Sequence, residues 1–333
     1  MKTIDPIYTG GDAVGAFIQY ISQHHLSQFV LVSDENTYHA LGKRVESALQ
    51  RNGNPLTTII LKGEEVIADE ACITEVFTRA PVGDYTYIAV GSGTITDITR
   101  FVSHRSKNPF ISLPTAPSVD GFTSIGAPLV LRGVKTTIIC QPPLAFFADL
   151  PALQAAPQRL IASGFGDMIG KVTSLADWKL GRLLWNEPFD RTIADRSQKG
   201  VDTCISYADA IGSGDEEGIR HLMDALVESG LCMLEFGDSR PASGAEHHYS
   251  HYWEMMLLQQ HRPAILHGAK VGFATTLVVQ MYERIRQMSQ SDIDEVLEAA
   301  VLPSREQDIA TIRTAYGHLA DDIIAAHEPF LNM

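Results

Sequence analysis

Tyr85-Thr86-Tyr87-Ile88-Ala89-Val90-Gly91-Ser92-Gly93-Thr94-Ile95-Thr96-Asp97 is the stretch on which the fold turns. Its first six residues are strand formers, and they run without a spacer into a Gly-Ser-Gly turn, after which a helical pattern begins near Thr94. A strand that hands a glycine pair to a helix start exposes unsatisfied N–H groups where the helix dipole favours an anion such as pyrophosphate. The glycines do not complete G-x-G-x-x-G, since Ile95 and Thr96 are followed by Asp97. A plain tight turn fits these residues as well as a phosphate cradle does.

Upstream, Gln28 to Ser33 and Leu56 to Leu61 read as strands, followed by helical segments at Thr37 to Asn52 and Ile67 to Arg79. Downstream, Pro109 to Leu113 gives a fourth strand, and Ala127 to Leu131 with Thr136 to Cys140 read as a hairpin about Arg132-Gly133. Strands alternating with helices at this spacing predict a parallel, doubly wound sheet. From Gln154 onward the patterns are helical, broken at Gly164-Phe165-Gly166, Gly212 to Gly214, Gly237 to Gly244 and Arg262-Pro263. Ala264 to Arg286, Asp292 to Val301 and Glu306 to Ala326 have amphipathic periodicity. The expectation is an α/β domain over residues 1–150 and an all-α domain over residues 151–333, with ligands in the cleft between them.

Composition narrows the function. The chain has 333 residues, enough for two domains of roughly 100–200 residues each. Lys and Arg number 26 against 40 Asp and Glu, a net charge of −14. Such a field repels phosphate backbones and argues against nucleic acid as the partner, while a local pocket can still take a small phosphorylated ligand. The charge-free run Thr136 to Ala148 holds Pro142 and Pro143 and is too short to span a bilayer, and Asp5 and Pro6 precede any apolar run, so neither membrane nor export signal is read. Cys72, Cys140, Cys204 and Cys232 form no C-x-x-C pair and fit free thiols in the cytoplasm. The apolar helices of the second half lead to an expectation of a homo-oligomer.

Several residues can carry chemistry. Asp34, just past a strand, suits the ribose of a dinucleotide and equally the cap of the next helix. Leu113 to Ser124 is a proline-stiffened segment beyond a strand end, with hydroxyls around one carboxylate, Asp120. Five of the 12 histidines, His247, His248, His251, His261 and His267, fall close together, and His247 and His251 share a helix face at i and i+4. Asp167 is read at a helix start, with Lys171 one turn on. Two imidazoles and a carboxylate leave a coordination position open, as a catalytic divalent metal requires, although satisfied structural histidines fit the same spacing.

The ordered motifs Gly91-Ser-Gly-Thr-Ile-Thr-Asp97, Pro114-Thr-Ala-Pro-Ser-Val-Asp-Gly121, Ser163-Gly-Phe-Gly-Asp-Met-Ile-Gly-Lys171, Glu246-His-His-Tyr-Ser-His251 and Leu266-His-Gly-Ala-Lys-Val-Gly272 resemble those of sn-glycerol-1-phosphate dehydrogenases. These belong to the metal-dependent superfamily of glycerol dehydrogenase, iron-type alcohol dehydrogenases and dehydroquinate synthase. The resemblance implies a Rossmann-like dinucleotide-binding sheet followed by a helical metal- and substrate-binding domain. It implies Asp167, His247 and His267 as ligands of Zn²⁺, Ni²⁺ or Fe²⁺. His251 would stand beside substrate and nicotinamide, the alkoxide taking its proton from solvent or through His251, whose residue type has a pKa suited to the task, and Asp120 would meet substrate hydroxyls. Lys171 would steady Asp167 or meet the substrate phosphate; a surface salt bridge fits its spacing equally. Gly91, Ser92, Gly93, Thr94, Ile95, Thr115, Ala116, Pro117, Ser118, Ser124 and Asp34 would bind NAD or NADP, with Asp34 favouring NAD because a carboxylate repels a 2′-phosphate. The implied reaction is interconversion of dihydroxyacetone phosphate and sn-glycerol 1-phosphate by hydride transfer. The alternatives are a glycerol or other polyol dehydrogenase and a non-catalytic dinucleotide-binding regulator.

Overall fold

Eight strands form among the residues described by the structure, a computed structural model covering 3–63, 65–260, 262–328 and 331. They are β1 (Ile7–Gly10), β2 (Phe29–Asp34), β3 (Leu56–Leu61), β4 (Thr86–Val90), β5 (Phe110–Leu113), β6 (Gly126–Leu131), β7 (Val134–Ile139) and β8 (Phe146–Asp149). The helices before β8 are α1 (Ala13–Gln23), α2 (Glu35–Thr37), α3 (Lys43–Arg51), α4 (Glu70–Arg79) and α5 (Gly93–Ser106). After it come α6 (Leu150–Gln154), α7 (Gln158–Trp185), α8 (Arg191–Ser206), α9 (Ala208–Ser213) and α10 (Glu216–Phe236). The chain continues through α11 (Ala245–Gln259), α12 (His267–Gln287), α13 (Gln290–Ala299), α14 (Arg305–Tyr316) and α15 (Ala320–His327).

Six strands pair in parallel in the order β1-β8-β5-β4-β2-β3. From β2 one crossover leads outward to β3, and the next returns past β2 to β4, so the order reverses between β2 and β4. Parallel α/β sheets hold ligands at the carboxyl ends of strands beside such a reversal. Val32 pairs with Ala89, which brings Asp34 and Gly91, each two residues further on, side by side at that mouth.

The sheet is covered on both faces, which is why its central strands read as nearly continuous apolar runs. Phe29, Leu31, Ile88, Val90 and Phe147 pack with Phe17 and Ile21 of α1 and Leu49 of α3. Val30, Val32, Tyr87 and Ala89 pack with Val76 of α4 and Ile98 and Val102 of α5. Each such side chain contributes about 1.5–3 kcal/mol by leaving water. In β8 the alternation has a further use: Phe147 faces α1, while Phe146 enters the core of the helical half with Met168, Leu222 and Leu226. Adjacent residues of one strand thereby fix the sheet to the helices.

The sheet is larger than the sequence reading, which left β1, α1 and β8 unassigned. Both strands are only four residues long, and β8 follows Pro142-Pro143 without a β-branched residue. The hairpin of β6 and β7 forms about Arg132 and Gly133, both at positive φ (52° and 76°), as a separate two-stranded sheet. Gly164-Phe165-Gly166 also departs from expectation. These residues do not break a helix, and Asp167 does not start one: α7 runs unbroken for 28 residues with Asp167 well inside it. The glycines serve close approach, because a Cβ at Gly164 would overlap the Pro117 carbonyl and one at Gly166 the Gly268 carbonyl. His261 lies outside the described residues. All four cysteines are free. Among the described residues, no helix is long and apolar enough to cross a membrane.

Candidate active site

Three helices meet where the glycines let them. The Cα of Gly166 on α7 lies 3.1 Å from where a Cβ at Gly272 on α12 would stand, and a Cβ at Gly268 would overlap the Ser163 carbonyl. The Gly268 amide donates to Ser163 Oγ (3.2 Å), seating the first turn of α12 on α7. His267, the first residue of α12, is thereby delivered onto Asp167, and α11 adds His247 from the side. Asp167 Oδ1 stands 3.7 Å from His247 Nε2 and 4.0 Å from His267 Nε2. One ligand atom from each of the three residues falls within 4.8 Å of the others.

This donor set fits a divalent ion. With metal–ligand bonds of about 2.0–2.2 Å, two ligands on a common ion stand at most roughly 4 Å apart, which the two Asp167 distances match. Glu246 settles the tautomer of His247: Nδ1 donates to Glu246 Oε1 (2.7 Å), leaving Nε2 with a free lone pair. Glu246 is itself held by the Gly244 amide (2.7 Å) and Thr173 Oγ1 (2.6 Å). Burial works against its charge, but those hydrogen bonds keep its carboxyl below the usual range. His267 Nδ1 is buried with no partner among the described residues.

Lys171 is no surface residue. Fully buried, it donates to Asp167 Oδ1 (2.9 Å), to the Asp167 carbonyl (2.9 Å) and to Asp120 Oδ2 (2.8 Å), which uses its three donors. Asp120 Oδ2 also accepts from Ser229 Oγ (2.8 Å), and the Asp120 amide donates to Asp167 Oδ2 (3.0 Å). Burial alone would push both carboxyls up; Lys171 more than offsets this at Asp120, whose pKa lies below its usual value. Asp167 stays raised, because burial is joined by the charge of Asp120. Lys171 is a positioning residue for two carboxylates, and its burial keeps the ammonium from the cleft.

His251 sits beside the trio, its ring centroid 6.2 Å from that of His247 and 6.1 Å from that of His267. Burial, followed by the charge of Lys135, pushes its pKa down to about 3. His267 is held well below its usual value by burial and by His247, which keeps its lone pair available.

The other end of the cleft is built from the glycine turn. Ser92 caps α5 without a side-chain hydrogen bond, so the amides of Gly93, Thr94 and Ile95 are not satisfied by it. Gly91 is pressed on Ile95, and a Cβ at Gly93 would stand 3.0 Å from Val119 Cγ2. Asp34 is both things its sequence context allowed in position: it caps α2, accepting from the Thr37 amide (2.8 Å) at Oδ1, and it lies at the mouth of the sheet. The buried segment Thr115, Ala116, Pro117 and Ser118 runs from this end to the three helices. The Thr115 amide donates to the Gly91 carbonyl (3.3 Å), and the Ser118 carbonyl accepts from Ser163 Oγ (3.2 Å). Ser124 Oγ closes the following loop on the Gly121 carbonyl (3.1 Å).

Sequence reading missed Arg100 altogether. Fully buried, its guanidinium donates to the carbonyls of Gly121 (2.6 Å), Phe122 (2.9 Å) and Gly126 (2.8 Å) and to Asp97 Oδ1 (2.9 Å), pinning the loop beyond Asp120. Asp97, three residues before it, was the available signal, since a charged pair at i, i+3 can bury together.

The parallel sheet and the helices that gather two imidazoles and a carboxylate are thus in place, and residues 8–157 match the family of iron-containing alcohol dehydrogenases. The chain is 46% identical over 287 residues to a glycerol-1-phosphate dehydrogenase [NAD(P)+] of Geobacillus thermodenitrificans, covering 85% of this chain and 71% of the relative. It is equally 46% identical over 287 residues to that of Bacillus subtilis, covering 85% and 73%. A glycerol dehydrogenase structure from Schizosaccharomyces pombe superposes with a TM-score of 0.69 at 21% identity, covering 85% of this chain and 73% of that one. The chain belongs to the glycerol-1-phosphate dehydrogenase family.

Proposed function

We propose that this protein interconverts dihydroxyacetone phosphate and sn-glycerol 1-phosphate, using NAD(H) or NADP(H) and one divalent ion. The observation that carries the reading is the convergence of Asp167, His247 and His267 at one end of a buried segment whose other end is hydrogen-bonded to the glycine turn. When bound, the ion polarises the ketone carbonyl and the reduced nicotinamide supplies the hydride.

The residues divide the remaining work. Asp167, His247 and His267 hold the ion. Glu246 orients His247, and Lys171 holds Asp167 Oδ1 and opposes the rise that burial and Asp120 impose on its carboxyl. The turn from Gly91 to Ile95 offers amides to the pyrophosphate, Asp34 accepts from the ribose, and Thr115 to Ser118 with Ser124 line the dinucleotide path. Asp120, partly reachable and anchored by Lys171 and Ser229, accepts from a substrate hydroxyl. His251 stands beside the reacting carbon, its ring about 6 Å from those of His247 and His267, and the product oxygen takes its proton from solvent or through His251. The protein also self-associates on this reading: Leu183, Leu184 and Trp185 at the end of α7 and Phe273 on α12 are all exposed, the kind of surface oligomers cover.

The test is oxidation of NADH and NADPH by protein stripped with EDTA and reloaded with Zn²⁺ or Ni²⁺, with dihydroxyacetone phosphate and dihydroxyacetone compared. Metal-restored turnover confined to the phosphorylated ketone supports the proposal. Turnover of dihydroxyacetone alone replaces it with a polyol dehydrogenase, and binding of cofactor and metal without turnover replaces it with a regulator.

A further inference from the structure

One turn along the same helices from the imidazoles lies a second charged group. On α11, His247, His251 and Glu254 follow one another at i, i+4 and i+7, and on α12 His267 and Lys270 stand at i and i+3, so two stripes face each other. The stripes touch along their length: His247 and His267 ring centroids are 5.1 Å apart, and Lys270 Nζ is 2.9 Å from Glu254 Oε2. From the hairpin strand β7, Lys135 Nζ reaches the same oxygen at 2.6 Å. Two ammonium groups thus share one carboxylate oxygen. Lys270 is nearly fully buried, with a side chain 3% exposed, while those of Lys135 and Glu254 retain 16% and 17%.

Two cations against one anion leave a net charge of about +1 in a largely dehydrated position, inside a protein whose overall charge is −14. A buried excess charge is expensive unless a counter-charge arrives; no other carboxylate lies within ion-pair distance of either lysine among the described residues, and Asp97, which feels the charge of Lys135, is already paired with Arg100. The spacing fits a definite ligand. Along α12 Lys270 lies one turn from His267, and along α11 Glu254 lies one turn from His251 and two from His247, a rise of about 5–10 Å, so a ligand whose carbonyl faces Asp167, His247 and His267 would turn a phosphate-bearing arm towards the lysines.

We propose that Lys135 and Lys270, held by Glu254, bind the substrate's phosphate and make the enzyme select phosphorylated over free trioses. This rests on the reaction proposed above. A plain structural ion triad would instead hold the hairpin to α11 without reading any ligand.

The experiment compares wild type with Lys135→Gln and Lys270→Gln, each as metal-loaded protein with circular dichroism melts as a folding control. The expected result is a fall of about 10-fold to 100-fold in the ratio of kcat/KM for dihydroxyacetone phosphate to that for dihydroxyacetone. KM for NADH should not follow. Calorimetric titration with inorganic phosphate should show competition with dihydroxyacetone phosphate in wild type and weakened phosphate binding in both variants. An unchanged ratio with unchanged phosphate binding overturns the proposal, and a rise in NADH KM instead would assign the lysines to the cofactor. If wild type itself ignores the phosphate and turns over only dihydroxyacetone, the failure lies with the proposed reaction.

Discussion

A single ammonium group holds the charged centre together. Lys171 bridges Asp120 and Asp167 with no exposure to solvent, so removing it leaves two buried carboxylates without their cation. Lys171→Met is expected to cost about 3–5 kcal/mol in urea unfolding of metal-free protein, the range for breaking a buried ion pair from one side. Added Zn²⁺ should restore part of that loss, because a divalent ion on Asp167 supplies the missing positive charge. A variant as stable as wild type in the absence of metal would show that the carboxylates are protonated without Lys171. Much of this centre was legible at the level of residue types: the i, i+4 histidine pair and the ordered motifs point to Asp167, His247 and His267, which the fold then gathers. Lys171 was legible as a group to steady Asp167, but its full burial and its bridge to Asp120 were not, because Asp120 lies some fifty residues away in sequence. The low pKa of His251 was not legible either: it comes from burial and from Lys135, more than a hundred residues away.

Elements meet here through missing side chains. Gly166, Gly268 and Gly272 allow α7 and α12 to pack backbone against backbone, and that contact sets the distance from Asp167 to His267. Gly166→Ala should push the helices apart, with about 1–3 kcal/mol of destabilisation typical of overpacking and weaker Zn²⁺ binding by calorimetry. Gly212→Ala, where nothing lies within 4 Å, serves as the control and should not weaken metal binding. Equal effects of the two would remove helix spacing as the cause. The same glycines explain an error of reading. In a sequence, Gly-Phe-Gly looks like a helix stop, since glycine costs about 1 kcal/mol inside a helix. Only the partner backbones, at Pro117 and Gly268, show why that cost is accepted in the middle of α7. The alternating half was clearer because strand and helix periods can be read locally, whereas β1 and β8, four residues each, owe their pairing to neighbours distant in sequence.

For the whole molecule, the proposed self-association has a direct readout. Leu184 and Trp185 are 60% and 61% exposed, and Phe273 is 61% exposed. Sedimentation at micromolar concentration should give a dimer or larger species, shifted towards monomer by Leu184→Glu with Trp185→Glu. A wild-type monomer under those conditions would end that part of the proposal.

The buried segment from Thr115 to Asp120 has a consequence for handedness. Its first amide is tied to the glycine turn and its last to Asp167, with Ser118 fastened to α7 between them. On the proposed reading, the donor of the hydride and the group that orients the ketone hang from opposite ends of one short, proline-stiffened rod. A flat carbonyl held against such a rod, and fixed as well at its phosphate arm, presents only one of its two sides. The configuration of the new alcohol centre is then written into backbone length, and side chains around the cleft can change which ketone enters without changing which mirror image leaves.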